Sequence, residues 1–334
     1  MSSIRVLTPA MRKCGFLIAA AVLALSAAAF APYEYEGQWG TEGSGNGQFN
    51  GPKGTILAVG SRVYVADVRN DRIQYFGTTG SFLGKWGTAG YNDGQFLNPH
   101  DVTYSPRNGF IYVADTVNNR VQYFTRNGSF VGKWGRQGNG PGEFREVWGI
   151  ATNRTNGRVY VSDKNNYRIQ YFTAAGSYLG KWGTLGPSIG QFYWPEGIAV
   201  APNGNVYVAD VGNHRIQYFT ANGRFLGVWG TKGGGDGQFS YPVAVAISSD
   251  GRVFVADRDN NRVQYFTAAG SFLGKWGSVG HGKGQFSHPW GIAVTQTGLT
   301  VYVADNYNHR IQYFRRNEPA VLSASVGRIK ALFR

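Results

Sequence analysis

The segment Val-Ala-Asp-Val-Gly-Asn-His-Arg-Ile-Gln-Tyr-Phe at residues 208–219 decides how this chain folds, because variants of it recur along the sequence. The related segments lie at residues 65–76, 113–124, 161–172, 255–266 and 303–314. A second motif, Gly-x-Trp-Gly, recurs with a similar spacing and contains Trp39, Trp86, Trp134, Trp182, Trp229 and Trp276. Self-similarity at a fixed period of this length indicates a repeat architecture, in which each repeat is one supersecondary unit.

Each repeat contains four short segments of β-type residues that are separated by turn residues. In the fourth repeat these segments lie at residues 197–201, 205–209, 215–220 and 224–229. The intervening Pro-Asn-Gly and Ala-Asn-Gly triplets supply the Gly and Asn residues that hairpin turns require. Four antiparallel strands per repeat, arranged radially, form a blade of a β-propeller. The sequence therefore predicts an all-β, six-bladed β-propeller of four-stranded antiparallel blades over residues 32–314.

The two motifs are out of phase at the ends of the repeat region. The first tryptophan motif, at residues 37–40, precedes every Asp-containing motif, and no tryptophan motif follows the last one at residues 303–314. The N-terminal segment thus supplies what the last repeat lacks. We expect an N-terminal strand to complete the last blade and close the ring.

The composition excludes several classes of protein. A chain with 42% hydrophobic and 15% aromatic residues is not disordered, and its 49 glycines follow no three-residue period of the collagen type. The single cysteine, Cys14, leaves no internal disulfide and no thiolate metal site. The formal net charge of +14 indicates a basic surface that attracts anionic partners.

The two ends of the chain differ from the repeats. Arg12 and Lys13 precede an apolar run with Ala-x-Ala spacing at its end, so residues 1–31 are predicted to be a signal peptide. Export would place the protein outside the cell, at the cell surface or in the periplasm. An uncleaved membrane anchor is the alternative, although the run is short for a spanning helix. Residues 315–334 form a basic tail, in which the spacing of apolar residues predicts a short helix.

The repeat also resembles a known family. Its pattern is Pro-x-Gly-Ile-Ala-Val, then Val-Tyr-Val-Ala-Asp-x-x-Asn-His-Arg-Ile-Gln-Tyr-Phe, then Gly-x-Phe-Leu-Gly-x-Trp-Gly, as at residues 195–200, 206–219 and 223–230. This pattern is similar to the NHL repeat, and the resemblance covers residues 33–314. It implies a six-bladed propeller, but it implies no single function, because such propellers serve as protein-binding, RNA-binding and enzymatic modules.

The charged residues shared by all the repeats are predicted to be structural. One active site needs one constellation of groups, whereas this motif supplies six equivalent ones. We expect each Asp to bind loop backbone or to pair with an Arg of its own repeat. These residues are Asp67, Asp115, Asp163, Asp210, Asp257 and Asp305, with Arg72, Arg120, Arg168, Arg215, Arg262 and Arg310.

Residues that differ between the repeats are better candidates for function. In propellers that this chain resembles, ligands meet the face where the innermost strands begin and where loops join the second and third strands. The candidate binding residues at these positions are Lys53, Arg69, His100, Asp101, Trp148, Lys164, Glu196, Arg258, Trp290 and Tyr307. They form a predicted rim of cations and aromatic rings, which favours an anionic partner.

A metal site near His100 is the main alternative for this rim. The segment Pro99-His100-Asp101-Val102 is similar to the one with which the propeller lyase of peptide amidation presents a zinc-binding histidine. Catalytic zinc takes three protein ligands, and the equivalent positions of the other repeats contain no second histidine. Calcium held by Glu196 or Asp101 remains open, but the spacing does not demand it. We therefore predict no cofactor and no catalytic residue, because the ligand spacing supports neither zinc nor calcium, although both remain open.

These observations favour an exported, non-enzymatic propeller that acts as a binding scaffold for a protein or an anionic polymer such as a glycan. The sequence contains no His-Glu-x-x-His or P-loop motif. The first alternative is a metal-dependent propeller lyase or hydrolase with a site near His100. The second is an RNA-binding propeller, which export disfavours because nucleic acid is scarce outside the cell. We expect a monomer.

Overall fold

The computed structural model describes residues 32–54, 58–59 and 62–317. The predicted leader, at residues 1–31, and the predicted helix of the tail lie outside the described residues. Tyr35–Arg315 form one compact unit. The second unit, Met1–Glu34 with Arg316–Arg334, is described only at residues 32–34 and 316–317. No helix in the described part of the chain is long and apolar enough to cross a membrane.

The described residues form six antiparallel sheets arranged in a ring, which confirms the predicted six-bladed propeller. Blade 1 contains β2 (Pro52–Gly54), β3 (Ala58–Val59), β4 (Arg62–Asp67), β5 (Arg72–Gly77) and β6 (Phe82–Trp86). Blade 2 contains β7 (Pro99–Tyr104), β8 (Ile111–Asp115), β9 (Arg120–Phe124) and β10 (Phe130–Trp134). Blade 3 contains β11 (Val147–Thr152), β12 (Val159–Asp163), β13 (Arg168–Phe172) and β14 (Tyr178–Trp182).

The other three blades repeat this order. Blade 4 contains β15 (Pro195–Val200), β16 (Val206–Asp210), β17 (Arg215–Phe219) and β18 (Phe225–Trp229). Blade 5 contains β19 (Pro242–Ile247), β20 (Val253–Asp257), β21 (Arg262–Phe266) and β22 (Phe272–Trp276). Blade 6 contains β23 (Pro289–Val294), β24 (Thr300–Asp305), β25 (Arg310–Arg316) and β1 (Tyr33–Trp39). Short 3-10 helices join the second and third strands at Val68–Asn70, Lys164–Asn166, Val211–Asn213 and Asn306–Asn308.

The ring closes as the phase of the two motifs predicts. The N-terminal strand β1 is hydrogen-bonded to β25 and so forms the outer strand of blade 6. Its Trp39 packs against Tyr302 and Tyr313 of blade 6, with ring centroids 6.1 and 6.0 Å away, and against Phe76 of blade 1 at 5.7 Å. The two ends of the repeat region are therefore held together by packing as well as by backbone hydrogen bonds.

The same tryptophan contact links every blade to the next. In blade 2, for example, Trp134 lies 5.7 Å from Phe172 of blade 3, and in blade 4 Trp229 lies 5.8 Å from Phe266 of blade 5. The second strand of each blade is buried on both faces, because it packs against a blade on either side. This explains why the residues before the Asp in Val-Tyr-Val-Ala-Asp are apolar on both faces of the strand.

The shared charged residues clamp the loop that enters each blade. In blade 2, Arg120 Nε donates to Asp115 Oδ2 at 2.6 Å, and its other nitrogens donate to the carbonyl oxygens of Tyr91, Asn92 and Gln95. The Gln122 side chain donates to the same Asp115 oxygen at 3.0 Å. Each Asp listed above pairs with the Arg five residues later. The Asp, the Arg and the Gln of each repeat thus fasten the entry loop of their blade.

A second clamp uses the residue that precedes each of these arginines. This residue has a left-handed backbone, with φ between 49° and 54°, at Asp71, Asn119, Tyr167, His214, Asn261 and His309. In blade 4, His214 Nδ1 accepts a hydrogen bond of 3.1 Å from the backbone N–H of Tyr241, at the entry of blade 5. Asn261 and Asp71 accept the equivalent bonds from His288 and Asn98. His214 therefore belongs to the scaffold between blades, not to a ligand site.

Candidate functional site

The innermost strands of the blades begin around one end of the central channel, which we call the mouth. A small cavity of about 20 Å³ lies there. It is lined by Lys53, His100, Asp101, Trp148, Gly149, Glu196, Gly197, Val243, Ala244 and Trp290. A cavity of this size accommodates one or two water molecules at most. A larger ligand must therefore lie across the mouth and not within it.

Two glycines line the mouth, Gly149 after Trp148 and Gly197 after Glu196. Close packing of the innermost strands explains why these positions carry no side chain. A Cβ atom at Gly149 would collide with the carbonyl oxygen of Glu196 in the next blade. The Gly149 N–H donates to Ser162 Oγ at 2.6 Å, and that hydroxyl donates to the same Glu196 oxygen at 2.5 Å. Asp101 Oδ2 accepts a hydrogen bond of 2.9 Å from the backbone N–H of Ile150. The strands under the mouth are thus tied to one another and hold their side chains in fixed positions.

Two tryptophans from opposite parts of the ring meet at the mouth. The rings of Trp148, in blade 3, and Trp290, in blade 6, lie 6.0 Å apart. The ammonium of Lys53 lies 4.1 Å from the ring centroid of Trp290 and 5.5 Å from that of Trp148. Lys164 approaches the Trp148 ring to 3.5 Å. Cations over aromatic faces are stabilised by the ring quadrupole, more strongly where water is excluded.

A third cation extends this cluster towards blade 5. The Arg258 guanidinium lies 5.0 Å from the Trp290 ring centroid and 4.9 Å from that of Tyr241. Its Nε donates to Asp259 Oδ1 at 2.6 Å. We call Lys53, Lys164, Arg258, Trp148 and Trp290 the cation–aromatic cluster. Three positive groups held against rings within one small region can attract and orient an anion.

Glu196 is the buried acid of the mouth. It is 4% exposed, and its Oε1 pairs with Lys164 Nζ at 3.0 Å. Burial raises the pKa of this carboxyl, although the neighbouring Lys164 opposes the change. Its Oε2 accepts no hydrogen bond from any described residue. A buried oxygen without a partner is costly, so this position favours a water or a donor group of a ligand.

Lys53 differs from the other two cations of the cluster. It forms no ion pair with any described residue, whereas Lys164 and Arg258 each have an acidic partner. Burial, with smaller contributions from Lys164, Arg69 and Arg258 and against the opposing effect of Glu196, lowers the pKa of its ammonium to about 8. Lys53 is therefore the cation of the mouth whose charge is least compensated.

His100 does not have the surroundings of a metal ligand. It is 8% exposed, and its ring packs 3.9 Å from the Trp148 ring centroid. Burial, with a contribution from Lys53 and Lys164, holds the pKa of its imidazole well below the usual range. Two lysines beside it would repel a divalent cation, and no three His, Cys, Asp or Glu residues of the described ranges are grouped as metal ligands. These surroundings disfavour a divalent cation at His100, and the absence of a metal cofactor stays a prediction.

The structure brings most of the sequence-predicted rim residues together. Of the remaining two, Arg69 lies near enough to Lys53 to affect its pKa, while the exposed Tyr307 packs against His288 with ring centroids 4.5 Å apart. Whether these residues bind a ligand stays a prediction.

Sequence reasoning missed several residues of the second layer. Trp194 lies 5.7 Å from Lys164, Tyr241 lies beside Arg258, and Glu146 Oε2 accepts a hydrogen bond of 3.0 Å from the Trp148 indole N–H. All three occupy the residue just before an innermost strand and have a left-handed backbone. The signal that identifies them is a bulky or acidic residue in a turn position that usually favours Gly or Asn.

Comparisons with protein families agree with this fold. The family model described as "NHL repeat" matches residues 192–219, 239–266 and 286–314. A second model, described as "6-bladed beta-propeller", matches residues 100–184. No curated protein matches the sequence. The motif resemblance and the six-blade count are thereby confirmed.

Several solved structures have the same architecture. Virginiamycin B lyase from Staphylococcus aureus is 13% identical, with 86% of this chain and 100% of that chain covered and a TM-score of 0.60. A Bacteroides thetaiotaomicron protein of unknown function is 15% identical, with 86% and 76% covered and a TM-score of 0.68. A streptogramin B lyase is 16% identical, with 85% and 98% covered and a TM-score of 0.58. At such identities the likeness shows the fold alone.

Proposed function

We propose that this chain, a six-bladed β-propeller with NHL repeats, is an exported, non-enzymatic scaffold that binds an anionic polymer or an acidic protein surface across its mouth. The observation that carries the proposal is Lys53, whose ammonium lies against two indole rings without an acidic partner among the described residues. Support for export comes from the apolar leader pattern of residues 14–31 and its Ala-x-Ala ending.

The charges of the mouth favour an anionic ligand. Lys53, Lys164 and Arg258 all lie within 5.0 Å of a tryptophan ring centroid. Glu196 and Asp259 compensate two of these cations. An anion that approaches Lys53 therefore gains an ionic contact without breaking an existing ion pair. Its approach is also steered by the positive charge of the chain.

The same contacts disfavour ligands that stack on aromatic rings. A sugar ring or a nucleobase needs a free aromatic face. The faces of Trp148 and Trp290 already carry Lys164 and Lys53, at 3.5 and 4.1 Å. Stacking would have to displace these cations. This favours a carboxylate-bearing or other anionic ligand over RNA, which was the second alternative from the sequence.

One observation supports the alternative that the protein is an enzyme: it shares its architecture with virginiamycin B lyase and streptogramin B lyase. That likeness concerns the fold, and His100, which burial and two nearby lysines keep uncharged, is poorly suited to binding a metal ion beside these lysines. We therefore propose binding and not catalysis. A stoichiometric metal in the purified protein that is lost in His100→Ala would contradict this choice.

Binding to defined polymers tests the proposal. We expect the protein to bind polygalacturonate and poly-glutamate, and to bind neutral dextran far less. We expect it to bind single-stranded RNA no more tightly than another polyanion of the same charge density. Lys53→Gln should weaken binding of the polyanions about tenfold, the loss of one charge-assisted contact of about 1.4 kcal/mol. The control is Lys181→Gln, which removes an exposed lysine from the outer strand of blade 3. Equal losses for both variants would show that binding follows net charge and not the mouth.

The low pKa of Lys53 gives the binding a pH dependence. Because burial lowers the pKa to about 8, the ammonium is mostly charged at pH 7 and mostly neutral at pH 9. Affinity for polygalacturonate, whose carboxylates stay ionised in this range, should therefore fall as the pH rises from about 7 to about 9. In Lys53→Arg the charge persists, so this part of the fall should disappear. Isothermal calorimetry at constant ionic strength measures both profiles, and parallel profiles would contradict a role for Lys53.

A further inference from the structure

The outer strand of each blade is an edge of its sheet, which leaves one row of backbone groups unpaired. Proteins often protect such edges with lysine, because a charge opposes pairing with another strand. Lysine occupies the position before the tryptophan in four of these strands, at Lys85, Lys133, Lys181 and Lys275. Blade 6 has Gln38 there and blade 4 has Val228.

In two blades this lysine belongs to a surface ion pair. Lys133 Nζ lies 2.5 Å from Asp93 Oδ1 in blade 2, and Lys275 Nζ lies 2.6 Å from Asp236 Oδ1 in blade 5. Asp93 and Asp236 occupy the same place in the repeat, just before the Gly-Gln-Phe of the loop that enters the blade. A charged pair thus marks the outer edge of these blades.

Blade 4 replaces both members of this pair with apolar residues. Val228 stands where Lys133 and Lys275 stand, and Ile189 stands where Asp93 and Asp236 stand. Val228 is 40% exposed and Ile189 is 62% exposed. Leu185, in the same loop as Ile189, is also exposed. No other blade combines an apolar residue at both positions.

We propose that β18, the outer strand of blade 4, pairs antiparallel with β18 of a second copy of this chain to form a two-fold symmetric dimer. Pairing centred on Gly227 would place Leu226 of one copy opposite Val228 of the other, twice in each dimer. Such cross-strand apolar pairs stabilise a sheet, and the backbone bonds would join two four-stranded blades into one eight-stranded sheet. This interface lies on the outer edge of a blade and is independent of ligand binding at the mouth.

Charge is the reason for choosing a second copy as the partner. Symmetric pairing brings the same positions of two identical strands together. At blades 1, 2, 3 and 5 it would bring the protecting lysines of two copies close together, and like charges across strands are destabilising. At blade 4 the strand Phe-Leu-Gly-Val-Trp contains no charge, so only this edge can pair with itself without repulsion. The proposed dimer differs from the monomer expected from the sequence, and the test below distinguishes the two.

The test transplants the ion pair of blades 2 and 5 into blade 4. Sedimentation velocity of the purified protein from about 1 to about 100 μM should show a concentration-dependent monomer–dimer equilibrium. The double variant Ile189→Asp with Val228→Lys should remain monomeric over this range. Its melting temperature at low concentration should be unchanged, because the same pair already exists in two other blades. A wild-type protein that stays monomeric throughout, or a variant that dimerises equally well, would overturn the proposal.

The reverse exchange is the matched control. Asp236→Ile with Lys275→Val gives blade 5 the apolar pair of blade 4. With two apolar edges the protein should form species larger than a dimer. Hydrogen exchange adds a local readout: backbone amides of β18 should become protected as the wild-type concentration rises, while those of β22 should not. Equal changes in both strands would argue against pairing at blade 4.

Discussion

A chain that begins at residue 41 is expected to melt at least about 10 °C below a chain that begins at residue 32. The shorter chain lacks β1, so it loses the hydrogen bonds to β25 and the packing of Trp39 on Tyr302, Tyr313 and Phe76. Removing a buried tryptophan typically costs about 3–5 kcal/mol; Trp39 is partly buried, and the lost hydrogen bonds of β1 add to the cost of losing its ring. One kcal/mol corresponds to roughly 2–4 °C in a domain of this size class. Differential scanning calorimetry of the two chains measures the difference.

Two controls separate ring closure from the loss of one aromatic contact. Trp134→Ala removes the equivalent ring in blade 2, where all four strands are contiguous in sequence. We expect this variant to be less destabilised than the truncated chain. A peptide of residues 32–40 added to the truncated chain should raise its melting temperature with increasing peptide concentration, because a ligand of the folded state stabilises it. A truncated chain that melts as sharply and as high as the longer one would contradict closure by β1.

Arg120→Met is expected to lower the free energy of unfolding by about 3–5 kcal/mol, the usual result of leaving a buried charge without its partner. The Asp115 carboxylate is fully buried and the Arg120 side chain is 8% exposed. The variant also leaves the carbonyl oxygens of Tyr91, Asn92 and Gln95 without their donor. Urea unfolding followed by tryptophan fluorescence gives the free energy, provided that the transition is two-state.

Comparison with an exposed ion pair and with a double variant tests the cause. Lys133→Met breaks the ion pair with Asp93, in which both side chains are about half exposed. This variant should lower the free energy of unfolding by less than about 1 kcal/mol. Asp115→Asn with Arg120→Met should be less destabilised than the sum of the single variants, because the neutral amide needs no counter-charge. An additive double variant would show that Arg120 acts through its loop contacts and not through the charge of Asp115.

Much of the fold could be predicted because the same short sequence pattern occurs in six repeats, and each copy predicts its own strands and turns. The alternation of apolar residues, the turn glycines and the phase of the tryptophan motif predict the strands, the blade number and the closing strand. The structure extends the prediction at the repeat motif. The glutamine two residues after each arginine also clamps the entry loop, as Gln122 does in blade 2, and His214 accepts a hydrogen bond from the next blade. Both contacts cross a loop or a blade boundary, which no local pattern encodes.

The candidate site shows the limit of sequence reasoning. The sequence places Lys53, Trp148 and Trp290 on the same face, because each begins an innermost strand. It does not predict that the Lys53 ammonium lies within 5.5 Å of both ring centroids, since these residues are far apart in the chain and meet only across the channel. It also does not predict that Tyr307 packs against His288, the residue just before β23.

By itself, the sequence determined a closed ring of six blades, because hydrophobic periodicity and turn residues act over a few neighbouring positions. Only the tertiary structure decided which charges are compensated: Lys164 meets Glu196 of the next blade, while Lys53 has no acidic partner among the described residues. The same holds for the uncharged edge of blade 4, where Ile189 and Val228 matter because the fold places their equivalents in contact in blades 2 and 5. Ion pairing and burial depend on distances across the ring, and those distances exist only once the blades have assembled.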